Sequence, residues 1–115
     1  MLELIEHSLR GLGLALQDLS ALASIDLKSD EPGLLELAQQ LGLPLMTFSA
    51  AQLSAYEAHL THRSMTTFEH TGCYGVAESA ALALANRSGP ARLLIPRVNN
   101  RQATFALAST VLDSR

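Results

Sequence analysis

The first residue in this sequence with a pattern suited to chemistry is Lys28, in the segment SIDLKSDEPGL. It follows a short apolar run and precedes Pro32, which suits the first position of a helix because its missing N–H needs no partner there. Ser29 or Asp30 can cap that helix and Glu31 complements its positive end, so the start of the helix accounts for these residues. Neither task requires a lysine, and open α/β sheets bind ligands at the C-terminal ends of their strands. We therefore predict that Lys28 contacts a ligand, with an exposed turn lysine as the alternative.

The second candidate is a helix start bracketed by two glycines in the segment EHTGCYGVAESAALAL. Unpaired backbone N–H groups at a helix N-terminus attract carboxylate or phosphate groups. Glu78 falls in the first turns, where a negative charge is favourable without any catalytic role. No dinucleotide-binding or P-loop glycine pattern is present, so an ordinary turn is the alternative. The ligand-binding residues predicted here are Thr71, Gly72, Gly75 and Val76.

The cysteine and the histidines form no recognisable catalytic or metal motif. Cys73 lies near His70 in sequence, but a cysteine nucleophile also needs a positioned base and an oxyanion site, so we predict a buried, inert thiol. His59 and His62, in HLTH, lack acidic or cysteine partners at zinc-binding spacing, which predicts exposed loop histidines and no metal site. No GxSxG elbow occurs. We predict no cofactor.

The charge distribution favours an anionic small molecule over nucleic acid. The net charge is −3, and nucleic-acid binding depends on many basic residues that neutralise phosphates. Residues 1–57 carry eight acidic and two basic residues, whereas residues 58–115 carry six arginines and three acidic residues. Arg97 and Arg101 lie in the predicted turn before the last strand, and we predict that they bind a carboxylate. Solvated surface arginines are the alternative.

Length and composition predict one cytoplasmic domain over residues 1–115. The chain is 48% hydrophobic with few aromatic residues, so its core must consist of Leu, Ala, Ile and Val. A single cysteine excludes an intramolecular disulfide and fits a reducing compartment. No apolar run approaches the roughly 20 residues that span a bilayer, and the first residues lack the pattern of a signal peptide. We predict no membrane association.

Apolar spacing predicts helices that alternate with short strands. The predicted strands are Leu22–Ile25, Leu43–Phe48, Ala91–Pro96 and Gln102–Ala108. The predicted helices are one that stops at Gly11 to Gly13, one from Pro32 to Gly42, one capped by Ser49 and reaching about Tyr56, and Val76–Asn86. We expect an α/β three-layer sandwich, with a mixed, mostly parallel sheet flanked by helices and a C-terminal antiparallel hairpin.

The ordered combination of several segments resembles the C-terminal domain of the cobalamin-biosynthesis protein CbiG and its stand-alone relative CobE. Those segments are SIDLKSDEPGL, LGLPLMTFSAAQL, TGCYGVAESAALALA, ARLLIPR and ATFALA, and together they cover most of the chain. Family members usually begin with a glycine-rich strand, which we do not find here because Met1 already starts in the first helix. Two further positions depart from the family. Before Val76 the family usually has small residues and a proline, whereas this chain has Cys73, Tyr74 and Gly75. After Pro96 the family often has a lysine, whereas this chain has Arg97.

The resemblance implies a small three-layer domain and a role in corrin-ring construction. CbiG-like proteins open a lactone on a cobalt-bearing corrin intermediate, but this chain resembles only their C-terminal part. We therefore expect a protein that binds or hands on a polycarboxylate corrin intermediate, because arginines and a helix N-terminus suit carboxylates. One alternative is a hydrolytic enzyme acting on a precorrin intermediate, with Lys28 and Glu78 as catalytic residues. The other is an adaptor for another cobalamin-pathway enzyme.

Overall fold

The structure, a computed structural model, describes residues 2–99 and 104–110, which form five α-helices and four strands. The helices are α1 (Leu2–Arg10), α2 (Pro32–Leu41), α3 (Ala50–Ser54), α4 (Met65–Thr71) and α5 (Val76–Asn86). The strands are β1 (Leu22–Ile25), β2 (Leu45–Phe48), β3 (Ala91–Asn99) and β4 (Thr104–Thr110). Short 3-10 turns occupy Leu16–Asp18, Asp26–Lys28 and Glu57–His59. The alternation of helices and strands confirms the predicted α/β class.

The four strands form two separate pairs. β1 and β2 are parallel, with Leu22 opposite Leu45 and Ile25 opposite Phe48. β3 and β4 form the predicted antiparallel hairpin. Within the described residues β1 makes no ladder with β3 or β4, so the single mixed, mostly parallel sheet is not confirmed. The three-layer sandwich stays a prediction.

Helix α5 holds the two pairs together because it packs on strands of both. Its alanines allow a close approach between helix and sheet. One core lies between α5, α3 and the parallel pair, and it contains Ile25, Phe48, Leu53, Cys73, Ala80 and Ala83. A second core joins α1 and α2 to the hairpin, and it is built around Ile5, Leu9, Leu37 and Ile95. The start of α5 is therefore fixed from several directions.

Strand β3 and helix α4 differ most from the predicted elements, whereas β2 begins two residues later than predicted and β4 ends two residues later. The strand expected to end at Pro96 continues to Asn99, and the register with β4 shifts on either side of Ile95. Such bulges admit a proline, because a bulged residue does not need its N–H for the ladder. The segment with many His and Thr residues, for which no helix was predicted, contains α4, whose first turn is capped by the Ser64 hydroxyl accepting from the Thr67 N–H.

Helix capping agrees with prediction at α3 and differs at α2. Ser49 Oγ accepts from the Gln52 N–H at 3.1 Å, and the Gln52 side chain accepts from the Ser49 N–H at 2.8 Å. Helix α3 ends at Ser54, earlier than predicted. At α2 the N-cap is Glu31, with no side-chain hydrogen bond, so the caps predicted from Ser29 or Asp30 are wrong. The following Pro32 removes one of the N–H groups that a cap would serve.

Candidate functional site

Glu78, in the first turn of α5, is the buried polar centre of this region. Only 1% of the residue is exposed. Its Oε1 accepts hydrogen bonds from the backbone N–H groups of Thr61, at 2.7 Å, and His62, at 3.3 Å. Its Oε2 accepts from the Arg97 N–H at 2.8 Å and from the Thr61 hydroxyl. One carboxylate thereby joins α5, the loop before α4 and strand β3.

These contacts set the charge of the carboxyl group. Burial by itself would raise the pKa of Glu78, since it disfavours the charged form. Hydrogen bonds from the Thr61 hydroxyl and from the N–H groups of Arg97, Thr61 and His62 outweigh burial and lower the pKa below its ordinary value. Glu78 is therefore an ionised hydrogen-bond acceptor at neutral pH.

The bulge in β3 explains why the Arg97 N–H can donate a hydrogen bond to Glu78. Between Ile95 and Val98 the hairpin register shifts by one residue, so the Arg97 N–H is not needed for the ladder. It donates to Glu78 instead. The Arg97 residue itself is partly exposed. The hairpin, which carries this arginine, is thus tied by its backbone to the start of α5.

Gly75 lets the loop before α4 lie directly on the start of α5. A Cβ atom placed on Gly75 would be only 3.1 Å from the carbonyl oxygen of His62 and 3.3 Å from the Leu60 side chain. Contacts that short to backbone atoms require the neighbour to move. A glycine at this position therefore has a packing reason, separate from any role in binding.

The N-cap residue of α5 is Gly75, so no side chain caps the first turn of this helix. Its first N–H groups are of the kind that bind anions.

Gly72, at φ 78°, ends α4 in a left-handed conformation that favours glycine, and a Cβ atom placed on it would lie 3.3 Å from the Ala50 Cβ atom. Thr71 has a local role, because its hydroxyl donates to the Thr67 carbonyl at 2.7 Å and accepts from the Cys73 N–H at 3.2 Å.

Lys28 is exposed at the end of the turn that follows β1. This turn lies at the C-terminal edge of the parallel pair, and α3, which begins at Ala50 beside Gly72, follows β2 at the same edge. The topology therefore places Lys28 and the Gly72 turn at one edge of the sheet. Direct convergence of Lys28 on the start of α5 stays a prediction.

The prediction for Cys73 can be compared with the structure, whereas that for Arg101 cannot. Cys73 is buried, as predicted, and its thiol lies 3.7 Å from the Ser79 hydroxyl. Arg101 falls outside the described residues, so its predicted binding role stays a prediction. Within residues 2–99 and 104–110, no group of three His, Cys, Asp or Glu side chains is arranged for a metal.

Two surface depressions, of about 290 and 270 Å³, lie elsewhere. The first is bordered by Phe48, Gln52, Tyr56 and Arg87 among others, and the second by Glu6, Arg10 and Gln17 among others. Among the predicted ligand-binding residues that the structure describes, none lines either depression.

Sequence reasoning missed the contribution of Thr61 and His62. His62 was expected to be an exposed loop histidine, and its side chain is 47% exposed. Yet its Nδ1 lies 2.7 Å from the Thr61 hydroxyl and 3.7 Å from Glu78 Oε2. No local spacing signals this pairing, because Glu78 is 16 residues away from His62 along the chain.

Comparison with known proteins identifies the family. The model for the family "Cobalamin synthesis G C-terminus" matches residues 1–108. The chain is 39% identical to Protein CobE of Sinorhizobium sp over 108 residues, which is 94% of this chain and 69% of that protein. The chain therefore belongs to the cobalamin synthesis G C-terminal family, and it is a protein of cobalamin biosynthesis.

This chain is also similar to a solved structure of CobE and to part of a hydrolase. The crystal structure of CobE, described as a protein from the cobalamin (vitamin B12) biosynthetic pathway, superposes with a TM-score of 0.89 at 43% identity, over 98% of this chain and 80% of that one. The chain is also 33% identical to cobalt-precorrin-5A hydrolase of Priestia megaterium, over 95% of this chain but only 28% of the hydrolase. The similarity covers a small part of that enzyme. Among the described helices, none is long and apolar enough to cross a membrane.

Proposed function

We propose that this protein binds a polycarboxylate corrin intermediate and holds it or hands it on to another enzyme of the pathway. Binding takes place at the C-terminal edge of the β1–β2 pair, where α5 begins. The residues assigned to the ligand are Lys28, Thr71, Gly72, Gly75, Val76, Arg97 and Arg101. Residues 1–115 act as one domain in this role.

The observation that carries the proposal is the uncapped start of α5 beside the Arg97 segment of β3. The first N–H groups of the helix attract a carboxylate, and an arginine can bind a second one through paired hydrogen bonds. Glu78 ties the Arg97 backbone to α5, so the two groups are held in a fixed relation. A ligand that carries several carboxylates suits such a divided site.

The exposure of Lys28 and Gly72 at this edge also suits a carrier. A large, flat macrocycle with peripheral carboxylates can lie across an exposed edge, and it can leave without a lid having to open.

Hydrolysis of a precorrin intermediate is the second candidate, favoured by the similarity to part of cobalt-precorrin-5A hydrolase. Of the two residues considered for catalysis, Lys28 is exposed, whereas Glu78 is buried and both its oxygens accept hydrogen bonds from the protein. A nucleophile or base must reach the reacting group, so this geometry argues against a direct reaction by Glu78. An adaptor role would use exposed apolar side chains, of which Leu27 and Met65 are examples.

Titration with isolated corrin intermediates distinguishes these functions. We expect a saturable change in the corrin absorbance with no change in the mass of the ligand. A change in ligand mass would favour hydrolysis instead. No change in either would refute the proposal.

A further inference from the structure

The positions of three polar groups determine where the proton of His62 lies. The Thr61 hydroxyl has one proton, and it donates that proton to Glu78 Oε2. Glu78 cannot supply a proton in return, because an ionised carboxylate only accepts. The same hydroxyl oxygen lies 2.7 Å from His62 Nδ1. Since the Thr61 hydroxyl already donates its proton to Glu78, Nδ1 must be the donor in this second hydrogen bond.

The opposite nitrogen of the ring is then left unprotonated. A neutral imidazole carries one N–H, so a proton on Nδ1 leaves Nε2 with a free lone pair. Within the described residues Nε2 has no protein partner. The side chain is half-exposed, and the His62 carbonyl lies against Gly75 at the start of α5.

We infer that Glu78 and Thr61 are positioning residues that hold the neutral form of the His62 ring with its proton on Nδ1, so that Nε2 of this form accepts a hydrogen bond from an O–H or N–H group of a ligand at the start of α5. The location of that ligand rests on the proposed function. The helix N–H groups and Arg97 recognise carboxylates, whereas Nε2 recognises a hydrogen-bond donor. His62 therefore adds a specificity that an anion site alone lacks.

Nitrogen-15 NMR of the histidine rings in the intact chain tests the tautomer without any ligand. Spectra recorded at about pH 8, above the ordinary range of histidine pKa values, should assign the unprotonated nitrogen of His62 to Nε2. His59, an exposed histidine with no side-chain hydrogen bond in the described structure, is the internal reference. Thr61→Val should shift the His62 tautomer ratio about fivefold toward the proton on Nε2, which is the effect of losing one hydrogen bond of about 1 kcal/mol.

Thr61→Ser is the matched control, because it keeps the hydroxyl and should keep the tautomer. Observation of Nε2–H as the major form in the wild-type chain, or no difference between Thr61→Val and Thr61→Ser, would overturn the assignment. If Thr61→Val fails to fold, the wild-type spectrum alone still shows which nitrogen of His62 carries the proton.

Addition of a saturating corrin intermediate tests the contact with the ligand. The Nε2 resonance of His62 should shift while that of His59 does not. Bound corrinoid without that shift would refute the role of His62 but leave the proposed function standing. Failure of any corrinoid to bind would refute the proposed function, and with it the contact, although the tautomer would be unaffected.

Discussion

Replacement of Glu78 by glutamine tests the part of the site on which the rest depends. The change keeps the shape of the side chain but replaces one oxygen by an NH₂ group, which can only donate. If the NH₂ group takes the position of Oε2, it faces the Arg97 N–H, which donates to Oε2 at 2.8 Å in the wild-type structure. The opposite orientation would place it against the N–H groups of Thr61 and His62. Either orientation leaves at least one buried donor unpaired.

The size of the effect follows from these contacts. A buried donor left without a partner costs about 1–3 kcal/mol, and the remaining hydrogen bonds lose the strength that the charge gives them, about 1 kcal/mol more. We therefore expect Glu78→Gln to lower the free energy of unfolding by about 2–4 kcal/mol at neutral pH. Urea denaturation gives this value. Glu36→Gln, on the exposed face of α2, is the control and should change stability by no more than about 0.5 kcal/mol.

The same variant predicts a change in the pH dependence of stability. The pKa of Glu78 is lowered in the folded protein relative to its ordinary value of 4.5. Its stabilising contribution is therefore present above about that pH and is lost as the pH falls toward the folded pKa. The wild type should lose stability in acid more steeply than Glu78→Gln does. Equal stability of Glu78→Gln and Glu36→Gln at every pH would refute the role given to this carboxylate.

Three further substitutions test the binding surface and its scaffold. Arg97→Ala should weaken corrinoid binding by about 1.5–3 kcal/mol, measured by absorbance titration, whereas Arg92→Ala, an exposed arginine on the same strand, should not; equal affinities would exclude Arg97 from the site. Lys28→Ala should reduce affinity while stability changes by no more than about 0.5 kcal/mol, and an unchanged binding isotherm would show that Lys28 is only an exposed turn residue. Gly75→Ala should destabilise the fold by about 1–3 kcal/mol in urea, because the new methyl group meets a loop carbonyl at 3.1 Å, whereas Gly33→Ala has open space and should not destabilise. A Gly75→Ala protein as stable as the wild type would contradict the close packing described for the loop.

The fold class and most elements follow from local patterns in the sequence. The spacing of Leu34, Leu37 and Leu41 with Gly42 behind them predicted α2, and Ser49 formed the expected cap of α3. These features depend on neighbours within one or two helical turns, so the sequence contains the necessary information.

The elements and contacts that were missed depend on distant parts of the chain. Pro96 indicated the end of a strand, but the bulges in β3 accommodate it. Asp30 looked like a cap, but Glu31 occupies the N-cap position. We therefore expect little effect on stability from Asp30→Ala. The contact of Glu78 with Thr61 joins residues 17 positions apart in sequence, and no spacing rule predicts it.

The central claim is that a corrin intermediate binds where α5 begins, and one comparison tests it most directly. An isolated polycarboxylate corrin intermediate is titrated into the wild type, Arg97→Ala and Arg92→Ala, and both the absorbance and the mass of the ligand are followed. We expect saturable binding without a change in mass for the wild type and Arg92→Ala, and weakened binding for Arg97→Ala. Equal binding by all three proteins, or no binding by the wild type, would contradict the account.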